Sequence, residues 1–167
     1  MFKFLRYILA SKQSSARGVG YVTPPVYEID PPKEYLQFFT TLSQYFPANS
    51  ILFLEDGAFP SKFEAFLKSN SIACDIVLAP GTIWPKPRAY HLPIQPKLML
   101  ELAQWGAKLA EPELCSHLRI HDGKKLLLHW YDFPHDPMYV SAELGEQAVA
   151  SLARQLGTAY RLEKNGL

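Results

Sequence analysis

Four of the five histidines of this 167-residue chain crowd between positions 117 and 135. Two of them stand in the run His129-Trp130-Tyr131-Asp132-Phe133-Pro134-His135-Asp136-Pro137, which puts two imidazoles and two carboxylates within eight residues. A turn there brings His129, Asp132 and His135 together, either as a carboxylate-oriented general base or as a three-ligand metal site with an open position. The spacing matches no metalloprotease or zinc-finger pattern. In the structural alternative, Asp132 and Asp136 close Asx turns, the step into Pro137 starts an extended segment, and Trp130, Tyr131 and Phe133 pack in or around the core.

The other two histidines lie on a hairpin spanning residues 116–131. Its turn is read as Asp122-Gly123, because both residues tolerate the positive φ of a tight turn. In that register His121 faces Lys124, Arg119 faces Leu126 and His117 faces Leu128. Strand side chains alternate between faces, so His117, Arg119 and His121 share one side and His129 falls on the other, with Leu118 and Ile120. At ~3.3 Å per residue the Cα atoms of His117 and His121 are roughly 13 Å apart. A single zinc ion, holding each imidazole nitrogen at about 2 Å, cannot easily bridge them.

A second candidate is the stretch from Pro80 to Gln95, which shows no periodicity and holds prolines at 80, 85, 87 and 93. Long loops of this kind are frequently binding surfaces. Trp84 and Tyr90 are of the types enriched at contact hot spots, Lys86 and Arg88 add positive charge, and His91 adds a polar group. Together with Trp130 and Phe133 of the 130–137 loop, these residues form the expected binding set. The alternative is an ordered crossover in which Trp84 and Ile94 plug the edge of the core. Phosphate-binding glycine loops, the nucleophile elbow and the helical zinc-protease motif are all absent from the sequence.

These residues must be carried by elements that the apolar pattern outlines. Asp30-Pro31-Pro32 reads as a helix start, followed by Tyr35, Phe38, Phe39, Leu42, Tyr45 and Phe46 at helical spacing as far as Pro47. Ile51 to Leu54 reads as a strand buried on both faces. Ser61 and Glu64 fit a capping box that opens a second helix, and Ile72 to Ala79 reads as the next strand. Gln95-Pro96 starts a third helix that ends before Pro112. After the hairpin come a short strand at 138–140, a helix from about 144 to 156 stopped by Gly157, and a last strand at 159–162. The expectation is an α/β or α+β fold over residues 28–167. It is a single domain with a mixed sheet packed by about four helices and a C-terminal hairpin–loop–helix–strand unit.

Residues 1–27 hold Lys3, Arg6, Lys12 and Arg17 and no acid before Glu28, with Phe2, Leu5, Ile8 and Leu9 on one helical face. They are read as a basic arm or a docked first element, and the same composition suits a mitochondrial transit peptide or a membrane-surface helix. Cys74 and Cys115 form no Cys-x-x-Cys pair and read as two buried thiols. Seventeen basic against sixteen acidic side chains leave a net charge of +1, which argues against a duplex-binding domain. No run approaches the ~20 apolar residues of a membrane span.

The function these observations imply is that of a small soluble binding protein of adaptor or immunity type, acting in the cytoplasm without cofactor, metal or catalysis. Its partner is expected to be a protein or a small molecule, not nucleic acid or membrane, and the chain to be a monomer or weak homodimer. The alternative is a small hydrolase or metal-dependent enzyme centred on His129, Asp132 and His135.

Overall fold

Alternation along five strands decides the architecture. Leu52 and Leu54, Tyr90 and Leu92, Leu118 and Ile120, Leu128 and Trp130, and Met138 and Val140 all point to one side of a sheet and are buried there. A computed structural model describes residues 22, 24–55, 57–74, 88–109 and 112–163. Its strands are β1 (Val26–Ile29), β2 (Ile51–Glu55), β3 (Ala89–Pro93), β4 (His117–Asp122), β5 (Lys125–Trp130), β6 (Met138–Ser141) and β7 (Tyr160–Glu163). They form one sheet in the order β3-β2-β4-β5-β6-β1-β7. Every described pairing is antiparallel. The helices are α1 (Tyr35–Tyr45), α2 (Ser61–Asn70), α3 (Pro96–Gly106) and α4 (Glu146–Leu156), the last preceded by a 3-10 turn at Ala142–Leu144.

The apolar faces of the four helices and the apolar side of the sheet merge into one core, with Phe38 of α1 meeting Trp130 edge-to-face at 5.2 Å. The single-domain α/β expectation with four helices therefore describes this molecule. No helix among the described residues is long and apolar enough to cross a membrane.

Several local expectations are corrected. The first helix begins at Tyr35, not at Pro31, because Asp30 still belongs to the strand side: its N–H donates to the Ala159 carbonyl at 3.1 Å. β1 spans the boundary drawn between residues 27 and 28 and lies inside the sheet, between β6 and β7. Ser61 is the first residue of α2 and does not cap it, since Glu64 is engaged elsewhere. Residues 72–74 are not a strand, and 75–79 lie outside the described residues. The strand that pairs with β2 on this side is β3, inside the stretch expected to be a loop. The basic arm up to residue 21 and residues 80–87 also lie outside the described residues.

The hairpin turn is Gly123-Lys124, with Asp122 opposite Lys125 and Gly123 at φ 57° in the first turn position, where a II′ turn favours glycine. A register shift between Ile120 and His121 leaves Leu127 as an extra residue on β5. Moving the turn by one residue changes the pairing but not the faces. The bulge changes the faces, because one inserted residue inverts the alternation beyond it. His129 thereby lies opposite Arg119.

Candidate functional site

The bulge assembles a polar row on the side of the sheet away from the helices. The pairings run without interruption from His91 to Phe53, Arg119, His129, Tyr139, Glu28 and Arg161. One residue of each of the seven strands contributes, and only Phe53 lacks an ionisable group. Directly paired side chains stand about 5 Å apart at Cβ, so each member lies within reach of the next. Neighbouring positions add Glu55 opposite His117, and His121 opposite Ile51.

Burial makes these groups matter. Phe53 is 1% exposed and His121 3%, with Glu28, Glu55 and His129 also buried. The two buried carboxylates are answered by charge. Arg119 pairs with Glu55, and Arg161 reaches over Glu28 from the edge strand. A buried carboxylate left alone would be strongly unfavourable, so these pairs are what permits acids on this face.

The imidazoles are treated differently. Burial, and then the neighbouring Arg119 and His91, push His121 down to about 4. His129 is held well below the ordinary histidine value by burial first, with Arg119, His117 and His121 adding repulsion. Burial likewise lowers His91, against a smaller opposing effect of its backbone hydrogen bond. At neutral pH these three rings are uncharged, each carrying one donor and one acceptor. Tyr139 is pushed up to about 12 by burial and by Glu28.

At one corner of the row the hydrogen-bonding capacity is unmet. Neither ring nitrogen of His121 has a partner among the described residues, nor does Nε2 of His91 or Nε of Arg119. These groups surround Phe53, whose ring lies 4.0 Å from that of His91 and 5.8 Å from that of His121. At the other end of β4 the geometry is closed. The Asp132 N–H donates to Nδ1 of His117 at 3.2 Å, which leaves the ring proton of neutral His117 on Nε2, and the ring stacks on Tyr131 at 4.3 Å.

Comparison of the chain with protein-family models, with curated proteins and with solved structures finds no match. The site therefore has to be read from its own geometry.

The residues singled out from the sequence separate into distinct places. Trp84 and Lys86 lie outside the described residues. Arg88 donates to Glu64 at 3.1 Å and to the Gly57 carbonyl at 2.6 Å, with its guanidinium 5.1 Å from the Phe59 ring centroid. The Tyr90 hydroxyl donates to the same Glu64 carboxylate at 2.8 Å. That bond, then those from Lys68 and Arg88, keep the Glu64 carboxyl below its usual range. Arg88 and Tyr90 thus staple β3 to α2. Of the described residues of the expected loop set, only His91 reaches the polar row.

Trp130 and Phe133 are corrected from contact residues to core residues. Both are fully buried, their rings 4.5 Å apart, and the Trp130 Nε1–H donates to the Asp136 carbonyl at 2.7 Å. The expected grouping of His129, Asp132 and His135 is also corrected. His129 is buried on the sheet, whereas His135 is exposed in the turn and donates its N–H to the Asp132 carbonyl at 2.8 Å. Asp132 itself takes a φ of 55°, which aspartate tolerates better than most residues. Among the described residues no group of three His, Cys, Asp or Glu side chains is arranged to hold a metal ion.

Sequence reasoning missed Arg119, His121, Glu55, Phe53, Tyr139 and Glu28 as one assembly. The alternation His117-x-Arg119-x-His121 was a visible signal of a polar strand face. What it lacked was the strand order that sets Phe53 and His91 on one flank and His129 and Tyr139 on the other.

Proposed function

We propose that the protein is a non-catalytic binding protein whose site is the corner formed by His91, Phe53, Arg119 and His121. The observation that carries this reading is the buried His121 ring, with neither nitrogen satisfied by a described residue. Buried polar atoms without partners cost about 1–3 kcal/mol each, and such a cost is characteristically retained where a ligand or an ordered water meets them.

The chemistry of the corner selects the ligand class. Arg119 is already neutralised by Glu55, and the imidazoles are uncharged at neutral pH. Another full charge brought into so buried a place would pay a desolvation penalty without a counter-ion. A neutral group with adjacent donor and acceptor atoms, such as an amide or a flat heterocycle, matches neutral imidazoles, and a flat one can lie against Phe53. Binding is favoured over catalysis because a general base works best with a pKa near the operating pH, and His121 lies well below it.

The test is a thermal-shift and calorimetric panel of neutral amides and nucleobases beside simple carboxylates and phosphates. Saturable binding of a neutral compound, abolished in His121→Phe, is the expected result. Binding that survives His121→Phe, or a response confined to the anions, would sink the assignment.

A further inference from the structure

The two edges of the sheet are finished differently, and the difference points to a partner. On the β3 edge the outward N–H of His91 donates to Ser71 Oγ at 2.9 Å, and its carbonyl accepts from the Ile72 N–H at 2.9 Å. Pro93 has no N–H to offer, and its carbonyl accepts from Gln95 at 2.9 Å. The chain leaving α2 and entering α3 closes this edge against further strands.

Among the described residues, the β7 edge is open. Since the Asp30 N–H bonds to the Ala159 carbonyl, the bonded pairs between β1 and β7 alternate from there through Glu28 with Arg161 and Val26 with Glu163. Tyr160 and Leu162 fall between them, so their N–H and C=O groups point away from β1. No described residue bonds those groups, and the Leu162 side chain is 39% exposed. Natural edges are usually blunted, by short length, charge, a bulge or a covering loop. This edge is four residues long and alternates Arg161, Leu162 and Glu163, so it admits only a strand of matching charge.

We propose that this edge pairs with β7 of a second copy of the chain, antiparallel and centred on Leu162. Charge fixes that register. With Leu162 opposite its own copy, Arg161 faces Glu163 of the second chain and Glu163 faces its Arg161, so both cross-strand pairs are of opposite sign. Shifting the centre by one residue to Arg161 sets two guanidinium groups opposite each other, and centring on Glu163 opposes two carboxylates. The centred register also uses the outward N–H and C=O of Leu162 in both chains and buries two exposed leucine side chains against one another. Arg161 keeps its hold on Glu28, and on Glu163 of its own chain at 3.3 Å, while doing so, because its fork offers five donors. The edge is four residues long, short against the roughly 20–30 residues per side of a stable interface, so the dimer is weak and reversible.

Sedimentation equilibrium of the full chain, from about 10 μM to about 1 mM, tests this. The expected behaviour is a monomer–dimer equilibrium. Leu162→Pro should weaken it by roughly tenfold or more while leaving the monomer folded, because the N–H that proline removes is not the one bonded to β1. Glu163→Arg alone should be monomeric, as should Arg161→Glu, and a mixture of the two should associate, since both cross pairs then become opposite in sign. Should Arg161→Glu fail to fold by stranding Glu28, the Leu162→Pro and Glu163→Arg variants decide the matter by themselves. A monomer throughout the range, or a dimer indifferent to both, overturns the proposal.

Discussion

The two sides of the sheet are built from the same strands by opposite rules. On the helix side, Leu52, Leu54, Leu118, Ile120, Leu128 and Trp130 close a dry core whose stability comes from removed apolar surface and close packing. On the other side, six of the seven residues in one cross-strand row carry ionisable groups, and two of them, Glu28 and His129, are buried at 2% exposure. The six side chains on the helix side carry no titrating group, so their packing does not itself depend on pH. The polar side holds together only while its carboxylates stay paired and its imidazoles stay neutral. A single sheet can thus separate a stability face from a chemistry face, because period-two alternation keeps the two sets from mixing.

Four perturbations break or sharpen this contrast. Trp130→Ala strikes the dry side and should destabilise by about 4 kcal/mol, nearly independent of pH, as measured by chemical denaturation. Arg119→Met strikes the polar side by leaving Glu55 buried without its partner, and should cost about 3 kcal/mol near neutrality. Chemical denaturation at pH 7 reads this out, and a cost below about 1 kcal/mol would show that the ion pair is not what keeps Glu55 on this face.

Acid alone should weaken the native protein through the histidines. His121 titrates near 6.5 when unfolded and at about 4 when folded. Above 6.5 the ring is neutral in both states and the contribution is fully present. Between 6.5 and 4 only the unfolded chain takes up the proton, so about 3 kcal/mol is lost from this residue across that window. His129 and His91 act in the same direction, their folded values also being lowered. Denaturation midpoints at pH 7.5 and 4.5 read this out directly.

The smallest effect isolates one ring. His121→Phe should stabilise the protein at pH 7 by about 1 kcal/mol, because it removes two buried nitrogens that no described residue partners. Its advantage over the native chain should grow as the pH falls from 6.5 towards 4. A gain that stays constant with pH would mean that His121 is not held neutral by burial.

Much of this molecule was legible from local pattern. Pro96 at the start of α3, Gly157 in the left-handed conformation after α4, and the apolar spacing of α1 each act within a few residues, and each element formed where the pattern placed it or within a turn of it. The hairpin was recognised from Asp122-Gly123 even though its turn sits one residue later. β3 was hidden because Tyr90 and Leu92 are flanked by prolines and charges that read as loop. Only a neighbouring β2, itself buried on both faces, makes that segment a strand.

The candidate site was legible only in fragments. Residue types and alternation along β4 determined that His117, Arg119 and His121 share a side, since that depends on one strand alone. Which side His129 joins depends on a one-residue bulge at Leu127, and the sequence carries no strong local signal for it. Whether His91 and Phe53 flank Arg119 depends on strand order, a matter of which segments meet across tens of residues. Sequence by itself determined the helices, the hairpin and the chemistry available. The tertiary structure decided which groups meet, because cross-strand pairing couples residues that no local rule connects.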